Sequence, residues 1–282
     1  MADLDVVIVN YNAGGHLLAC LGALDRAAAG TDLDVVIVDN ASRDGSAERA
    51  LEVHPAVRLV RNEENVGFAA AADQGIHATN APWVFVVNPD AMVIAGTFAE
   101  VLTLADARSR VAIIGPLVRE TDGTVYPSAR RIPKLADALG HALIGPFSKD
   151  NRFTQAYTLA DWDRTSEREV DWVSGSCMFL RRDAVDRVGA FDPGYFMYAE
   201  DADLCTRMRR EGWRVLFTPV MEVRHERGVS TRGNPRMVWE HSRSIYRYVR
   251  KFVLTGWKRP LLPVAWLVVM ARAALVTRGR TR

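Results

Sequence analysis

Three acidic side chains lie at the start of a segment whose sequence predicts a helix. Glu200, Asp201 and Asp203 come first, and three arginines follow within residues 207–210. This order of charges suits a helix dipole, which favours acids at the N-terminus and bases at the C-terminus. At 3.6 residues per turn, Asp201 shares a face with the apolar side chains at 204, 205 and 208, so we expect its carboxylate to point into the protein.

An inward carboxylate at the mouth of a cleft is suited to take a proton from a hydroxyl group. Asp201 is therefore our predicted general base, and the alternative is a carboxylate that only caps the helix. Asp203 stands four residues before Arg207. For Asp203 we expect a solvent-facing ion pair without a chemical role.

The first 120 residues alternate between strand and helix patterns, which predicts an α/β fold. The β-branched runs at residues 5–10 and 34–40 flank a helical segment at 16–29, and this is a βαβ unit. Further strands are predicted at 57–60, 83–87 and 112–116, and further helices at 46–53 and 68–77. The pattern indicates a Rossmann-like half-domain whose ligands bind beyond the carboxyl ends of the strands.

Polar residues collect at those strand ends, at 10–12, 39–42, 62–67 and 88–90. The sequence contains neither GxGxxG after the first strand nor GxxxxGK[ST], which argues against dinucleotide oxidoreductases and P-loop NTPases. Side chains can still bind a nucleotide. Asp39 can accept from a ribose hydroxyl or a base imide, although a helix cap or Asx turn is the alternative for residues 39–42.

Composition and charge limit the possible domain organisation and binding partners. The 282 residues are 49% hydrophobic, enough for one large domain with an appendage. Residues 207–282 hold 18 basic and 4 acidic side chains, a cationic surface for nucleic acid, anionic lipid or a phosphorylated substrate. The three cysteines lack ligand spacing, which predicts reduced core thiols. The N-terminal sequence does not resemble a signal peptide, so we expect a cytosolic protein.

The second half begins with irregular sequence at 119–168, where we expect acceptor-site loops, and Asp122 with Gly123 predicts a hairpin turn. Residues 172–180 read as one strand whose small residues allow close approach of a ligand or backbone, and a short helix is expected at 182–189.

The C-terminal sequence has a different character. Residues 238–254 predict an amphipathic basic helix, with Arg243, Arg247, Arg250 and Lys251 on its polar face. Residues 261–276 are mostly apolar but contain Arg272, and they fall short of the ~20 residues that cross a bilayer. With basic flanks that include positions 258, 259, 278, 280 and 282, they predict a helix lying in an anionic membrane surface. A core-packing or homodimer-forming helix is the alternative.

Seven motifs carry a family resemblance. In chain order they are VIVNYN, VDNAS, NEENVGFAAAADQGI, VVNPDA, WVSGSCMFLRR, FDPGYFMYAEDADLCTRMRREGW and VRHERGVS. Over about residues 4–230 the chain resembles the inverting nucleotide-sugar glycosyltransferases of family 2, which have the A-type glycosyltransferase fold. More narrowly, it resembles their bacterial rhamnosyltransferase branch. The implied fold is a Rossmann-like nucleotide-binding mixed sheet with a basic helical C-terminal extension.

The resemblance also implies roles for residues. The nucleotide-sugar site would comprise Asn10, Tyr11, Asn12, Asp39, Asn65, Gly67, Asn88 and Asp90. Asp90 and His225 would hold Mg²⁺ or Mn²⁺, although Asn88 replaces one of two acids usual in the metal motif and His225 has a structural alternative. Asp73 stands where an asparagine is usual. The acceptor or sugar side would comprise Trp172, Ser174, Gly175, Tyr198 and Glu200, with core packing as the alternative for the aromatic residues.

An inverting transfer needs one base for the acceptor hydroxyl and one cation for the departing diphosphate. The resemblance implies dTDP-L-rhamnose as donor, a polyprenyl-diphosphate-linked saccharide as acceptor, and no nucleic-acid partner. We expect a nucleotide-sugar half at 1–118, a catalytic half at 119–230 and a membrane-associating extension at 231–282, on the inner face of the cell membrane. A sugar-phosphate nucleotidyltransferase and an inactive carbohydrate-binding protein are the alternatives, but residues 10–15 lack the basic residue that the former needs.

Overall fold

A computed structural model describes residues 2–132, 151–226 and 234–280. The strands are β1 (Leu4–Asn10), β2 (Leu33–Asp39), β3 (Arg58–Arg61), β4 (Trp83–Val87), β5 (Ala91–Ala95), β6 (Val111–Arg119), β7 (Val125–Tyr126), β8 (Ala129–Arg130), β9 (Arg168–Val170), β10 (Trp172–Val173), β11 (Cys177–Arg181) and β12 (Arg214–His225). The helices are α1 (His16–Ala28), α2 (Ser46–Val53), α3 (Phe68–His77), α4 (Phe98–Asp106), α5 (Arg152–Thr158), α6 (Arg182–Val188), α7 (Glu200–Arg210), α8 (Pro235–Tyr248) and α9 (Leu262–Arg280).

The main sheet is mixed, as expected. Its hydrogen-bonded order is β3-β2-β1-β4-β11-β6-β12-β5, with β7 beside β6 and β9 beside β12. Strands β1 to β4 run parallel to one another, because each is joined to the next by a crossover helix. Antiparallel β11 then separates β4 from β6. The predicted α/β fold class is confirmed.

The apolar core lies on both faces of this sheet. All seven residues of β1 are buried, and Val7 and Val9 pack in one cluster while Val6 and Ile8 pack in the other. A strand covered on both faces needs a continuous apolar run, which is why its sequence does not alternate. Each of the three cysteines is buried and free, so the expectation of reduced core thiols is confirmed.

The sheet topology gathers the polar strand ends at one edge. Asn10 pairs in register with Asp39 at the carboxyl ends of β1 and β2, and Asn88 follows β4 on the other side of β1. Because β2 and β4 flank β1 on opposite sides, this edge is a topological switch point, where ligands of such folds bind.

The expectation of one strand at 172–180 was wrong, because the structure contains two strands there, β10 and β11. β10 pairs with β8 in a separate small sheet, whereas β11 joins the main sheet. At 174–176 the backbone leaves both sheets, and its polar groups bond to Ser128, Asp201 and Asn88 instead. The predicted turn at Asp122 and Gly123 is confirmed, since β6 and β7 are antiparallel and Gly123 has φ +84°.

The C-terminal helices depart from their expected bounds. Helix α8 is followed by a π-helical turn (Val249–Val253) and a 3₁₀ helix (Gly256–Leu261) that leads into α9. Within the described ranges, Gly256–Thr277 forms one 22-residue helical stretch that is long and apolar enough to cross a membrane, so the expectation of a short apolar segment was wrong. Only 6% of its most apolar window is buried inside the protein, and Trp257 is 83% exposed.

Two of the four basic residues expected in the amphipathic helix form ion pairs with the preceding part of the chain. Arg247 and Lys251 pair with Asp192, while Arg250 is exposed. Helix α8 and the π-helical turn are therefore packed on the segment that leads into α7. The boundary at 230/231, residues 227–230 of the seventh motif, and the side chains at 278, 280 and 282 lie outside the described residues, as do 133–150 of the expected acceptor loops.

Candidate active site

The ends of β1 and β2 are joined by buried side chains. The Asn10 Nδ2 atom lies 2.7 Å from Asp39 Oδ1, 2.9 Å from Ser46 Oγ and 3.1 Å from Ser42 Oγ. Its two hydrogens serve three acceptors, so the amide is held firmly. The Ser42 amide also donates to Asp39 Oδ2 at 3.2 Å, which is the turn considered as an alternative. Asp39 is thus fixed in place at the sheet edge.

The loop after β1 forms the rim of this pocket. The Asn12 amide donates to Ser42 Oγ at 2.9 Å, and Asn12 Oδ1 accepts from the Arg43 amide at 2.8 Å. Asn12 has φ +51°, a left-handed conformation that asparagine tolerates better than most residues. The Tyr11 side chain is exposed beside it.

The loop after β3 contacts the segment that leads into α7. The Gly67 amide donates to Asn65 Oδ1 at 2.9 Å, and the Phe68 amide donates to the Phe196 carbonyl at 2.7 Å. Gly67 has φ +88°, and a Cβ atom there would clash with the Phe196 carbonyl oxygen. Only glycine permits this close approach.

The expected metal ligands do lie together. His225 Nε2 is 3.1 Å from Asp90 Oδ1 and 3.4 Å from Asn88 Nδ2. His225 and Asp90 are both buried, and His225 Nδ1 has no hydrogen-bond partner in the described part of the chain. A single Nε2 atom cannot both donate to the carboxylate and accept from the amide, whereas a cation between Nε2 and Oδ1 satisfies both ligands. Among the described residues there is no cluster of three or more His, Cys, Asp or Glu side chains that could hold a metal ion.

The start of helix α7 is strained. Tyr198 and Ala199 have φ +72° and +63°, and two successive left-handed residues that are not glycine cost roughly 1–3 kcal/mol each. Strain of this kind persists only where surrounding contacts impose it. Here it turns the chain sharply so that Glu200 and Asp201 enter the helix at its first turn.

Asp201 faces the break between β10 and β11. Its Oδ2 atom accepts from the Gly175 amide at 2.9 Å, and its Oδ1 atom accepts from the Ala202 amide at 2.7 Å. A Cβ atom at Gly175 would approach Asp201 Cβ to 3.3 Å. The small residue at this position allows a close approach, but the group that approaches Gly175 is the Asp201 side chain rather than the expected ligand or backbone.

Residues 174–176 also contact the Asn88–Asp90 turn, which contains the expected metal ligand Asp90. The Asn88 amide donates to the Ser176 carbonyl at 2.8 Å, one residue from the amide that holds Asp201. The Ser174 and Ser176 hydroxyls lie 3.2 Å apart. Asn88 and Asp201 are therefore anchored on the neighbouring residues Ser176 and Gly175.

The two acids at the start of α7 titrate differently. Burial, together with the charge of Asp201, raises the pKa of Glu200 well above its usual range. Glu200 is 6% exposed, and its Oε2 atom lacks a partner among the described residues. Burial also raises the pKa of Asp201, but the Gly175 and Ala202 amides and the Arg130 charge oppose that rise. The pKa of Glu200 is therefore raised further than that of Asp201, which makes Glu200 the better candidate to hold a proton and Asp201 the better candidate to be ionised.

Arg130 is a site residue that the sequence did not reveal. Its guanidinium lies over the rings of Tyr126, Tyr157 and Trp172, at 5.3, 5.3 and 4.9 Å from their centroids. Trp172 is buried in this cluster, and the Tyr198 ring packs edge-on against His241 at 5.2 Å, which are the packing arrangements considered as alternatives. Arg130 gathers rings from three separated stretches of chain, so no local spacing marks it.

Asp203 departs from its expected environment. Its ion pair with Arg207 is present, with Nε 2.6 Å from Oδ1, but Asp203 is 0% exposed. Its Oδ2 atom also accepts from Lys251 Nζ at 2.6 Å and from the Tyr195 hydroxyl at 3.1 Å. The expectation of a solvent-facing pair was wrong, because the turn after α8 covers this side of α7.

The family described as "Glycosyltransferase like family 2" matches residues 2–246. The chain belongs to this family. It is therefore a glycosyltransferase.

Several relatives of this glycosyltransferase are informative. It is 37% identical over 291 aligned residues to the N-acetylglucosaminyl-diphospho-decaprenol L-rhamnosyltransferase of Mycobacterium tuberculosis, covering 99% of this chain and 94% of the relative. It is 33% identical over 132 residues to Rhamnosyltransferase WbbL of Escherichia coli, covering 46% of this chain and 47% of that protein.

Solved structures show the same fold. GalNAc-T7 with UDP, GalNAc and Mn²⁺ superposes with a TM-score of 0.61 at 16% identity, covering 89% of this chain and 50% of the other. The mannosyltransferase PcManGT of Pyrobaculum calidifontis, in complex with GDP-Man and Mn²⁺, gives a TM-score of 0.54 at 18% identity, covering 99% and 80%. The expected A-type glycosyltransferase fold is confirmed.

Proposed function

We propose that this glycosyltransferase moves L-rhamnose from dTDP-L-rhamnose, with inversion, to a saccharide linked to polyprenyl diphosphate. The observation that carries the proposal is the placement of Asp201 and the Asn88–Asp90 turn on one tripeptide, 174–176, which puts a base beside a cation-binding turn. Near full-length similarity to a rhamnosyltransferase supports the choice of sugar and acceptor.

The donor nucleotide occupies the edge formed by β1 and β2. Asn10 orients Asp39 towards the ribose or base, and Asn12 and Tyr11 supply the rim. Asn65 and Gly67 line the diphosphate side, where Gly67 leaves room for the backbone of Phe196. The buried hydrogen bond from Asn10 to Asp39 holds the Asp39 carboxylate in position before the donor nucleotide binds.

Asp201 takes the proton from the acceptor hydroxyl as that oxygen attacks the anomeric carbon. The Gly175 and Ala202 amides fix the direction of its two oxygens, and Arg130 favours its ionised form. Glu200 stays neutral and can donate a hydrogen bond to the acceptor sugar. General base catalysis of this kind contributes about 10²–10⁴-fold.

A divalent cation fits between the side chain of Asp90, in the Asn88–Asp90 turn, and that of His225, at the end of β12. One carboxylate and one imidazole suit Mn²⁺ well and Mg²⁺ less well, and both ions commonly complete their coordination with substrate phosphates and water. When bound, the ion would neutralise charge on the departing diphosphate. Asn88 would remain beside the site as a polar neighbour.

The C-terminal region docks the enzyme on the inner face of the cell membrane. Helix α9 buries Ala273 against the protein and leaves Val264, Leu267 and Leu275 exposed, the opposite of a helix made to face water. Exposed Arg250 and Arg259 flank it and suit anionic lipid. This surface would place the active site near a lipid-linked acceptor.

The test is calorimetric titration of the enzyme with dTDP-, UDP- and GDP-sugars in the presence of Mn²⁺. Preferential binding of dTDP-L-rhamnose, followed by its transfer to polyprenyl-diphosphate-linked N-acetylglucosamine, is the expected result. Preference for a UDP- or GDP-sugar would refute the donor. Donor binding without transfer to any saccharide acceptor would instead favour a carbohydrate-binding protein.

A further inference from the structure

Helix α8 and the turn after it pack against the catalytic helix through charged groups. Lys251 Nζ donates to Asp203 Oδ2 at 2.6 Å and to Asp192 Oδ2 at 2.8 Å. Arg247 reaches both oxygens of Asp192 at 2.9 and 3.0 Å. The Lys251 side chain is 33% exposed, whereas that of Asp203 is completely buried. Lys251 therefore shares with Arg207 the neutralisation of a carboxylate that has no access to water, and it alone of the two also bonds to Asp192.

The backbone geometry aims Lys251 at these partners. It lies in the π-helical turn Val249–Val253, where the Leu254 amide bonds to the Val249 carbonyl at 2.8 Å, five residues back. A π turn rotates the following side chains relative to an α-helix, and such turns recur at functional sites. If α8 continued as a regular α-helix, the Lys251 ammonium group would point in a different direction.

The two carboxylates bracket the strained loop before α7. Asp192 precedes this loop and Asp203 follows it, so Lys251 ties together the ends of a segment that contains Tyr198, Ala199 and Asp201. The Ser244 hydroxyl adds a bond to the Met197 carbonyl at 2.8 Å within the same segment. Hydrogen bonds from Lys251, the Gly194 amide and Arg247 outweigh burial and lower the pKa of Asp192 to about 2, so it stays charged.

We propose that Lys251 is a positioning residue for catalysis: by bridging Asp192 and Asp203 it closes the 192–203 segment and holds Asp201 against Gly175. Lys251 does not touch the reacting atoms. It acts through the loop, whose left-handed residues need an external constraint to keep their conformation. The C-terminal region is then part of the catalytic apparatus as well as a docking element.

The consequence for kinetics is specific. The donor edge, built from β1, β2 and the loop after β3, does not include Lys251. Loss of the bridge should therefore misplace the base without weakening donor binding. Misplacing a reacting group by about 1 Å can cost about 10²-fold in rate, so a loss of roughly 10- to 100-fold in kcat is expected.

The experiment compares Lys251→Met with Lys251→Arg in the full-length enzyme. The activity arm rests on the proposed function and uses dTDP-L-rhamnose and the lipid-linked acceptor. Lys251→Met should lower kcat at least about 10-fold while the donor KM changes less than about twofold, and Lys251→Arg should restore most of the loss. Arg26→Met, which removes an exposed charge on α1, is the matched control and should behave as wild type.

A second arm measures hydrogen exchange of amides at residues 196–203 and needs no substrate. Lys251→Met should speed exchange there and leave the amides of β1 and β2 unchanged. Asp192→Asn, which cuts the bridge at its half-buried end, should give the same pattern and serves if Lys251→Met fails to fold.

The outcomes separate the two proposals. Unchanged exchange at 196–203 and unchanged kcat in a folded Lys251→Met protein would overturn the positioning role. A lower melting temperature with unchanged kcat would reduce Lys251 to a structural brace and also overturn it. Absence of transfer by the wild-type enzyme would count against the proposed function, while the exchange arm would still decide the role of Lys251.

Discussion

Asp201 and Asp203 lie two residues apart, yet we expect their asparagine variants to differ. Asp203→Asn should lose more stability, and Asp201→Asn should lose more of the transfer rate. Asp203→Asn keeps the side-chain shape but removes a buried negative charge, which leaves Arg207 and Lys251 without their counter-ion. Removing one partner of a buried pair costs about 3–5 kcal/mol. Arg207 still donates to the carbonyl oxygens of Val188 and Gly189, and Lys251 keeps Asp192, so we expect the lower end, about 3 kcal/mol.

A loss of about 3 kcal/mol corresponds to a melting temperature lower by roughly 5 °C in a chain of 282 residues. Asp201→Asn should cost less. Its single amide oxygen can accept from Gly175 or Ala202 but not from both, and one unsatisfied amide costs about 1–3 kcal/mol. Removing a charge that burial disfavours offsets part of this cost. The rate, however, should fall about 10²–10⁴-fold because the proton acceptor is gone.

Two measurements on both variants check this reasoning: the thermal unfolding midpoint, and the single-turnover rate at a temperature where both variants are folded. Asp203→Asn should lose more stability than Asp201→Asn, and its rate should fall by no more than the roughly 10- to 100-fold expected for loss of the Lys251 bridge. Asp201→Asn should lose less stability and more rate. An Asp203→Asn protein with an unchanged midpoint and a rate lower than that of Asp201→Asn would move the base to position 203. It would also refute the assignment of Asp203 to a structural charge cluster.

Further predictions concern Asp90, the C-terminal helix α9 and Arg130. Asp90→Ala should abolish the Mn²⁺ dependence of donor binding in calorimetry with the fold intact by circular dichroism, since His225 alone is a weak site; unaltered metal dependence would remove Asp90 from the site. Truncation before Pro260 should weaken sedimentation with anionic vesicles and spare donor binding, whereas equal sedimentation would favour a dimer helix. Arg130→Gln should raise the pKa of Asp201, because Arg130 lowers it, and so shift the acid limb of the kcat profile to higher pH; an unshifted limb would disconnect Arg130 from the base.

Much of the nucleotide half follows from local sequence. The β-branched run of β1 has no polar interruption, so its strand is predictable, and a parallel sheet then requires Asn10 and Asp39 to meet at one edge. The helix α7 is equally readable from its charges and apolar stripe. These features depend on neighbours in sequence or on a rule of topology.

The missed features depend on contacts between distant segments. Asp203 carries the same (i, i+4) arginine whether it is exposed or buried, and only the packing of the turn after α8 decides which. Arg130 draws its aromatic partners from β10 and from residues 126 and 157. The break after β10 depends on a second small sheet that no periodicity reveals.

The tripeptide 174–176 has a consequence for how this enzyme can change its substrates. Because the Asn88 amide bonds to the Ser176 carbonyl and the Asp201 carboxylate bonds to the amide of the neighbouring residue Gly175, a mutation that shifts the Asn88–Asp90 turn should also shift the base. Redesign of nucleotide specificity should therefore succeed at the rim, at Tyr11 or Asn12, and fail at the Asn88–Asp90 turn. Variants selected for a new donor would keep small residues at 174–176 and accumulate their changes elsewhere.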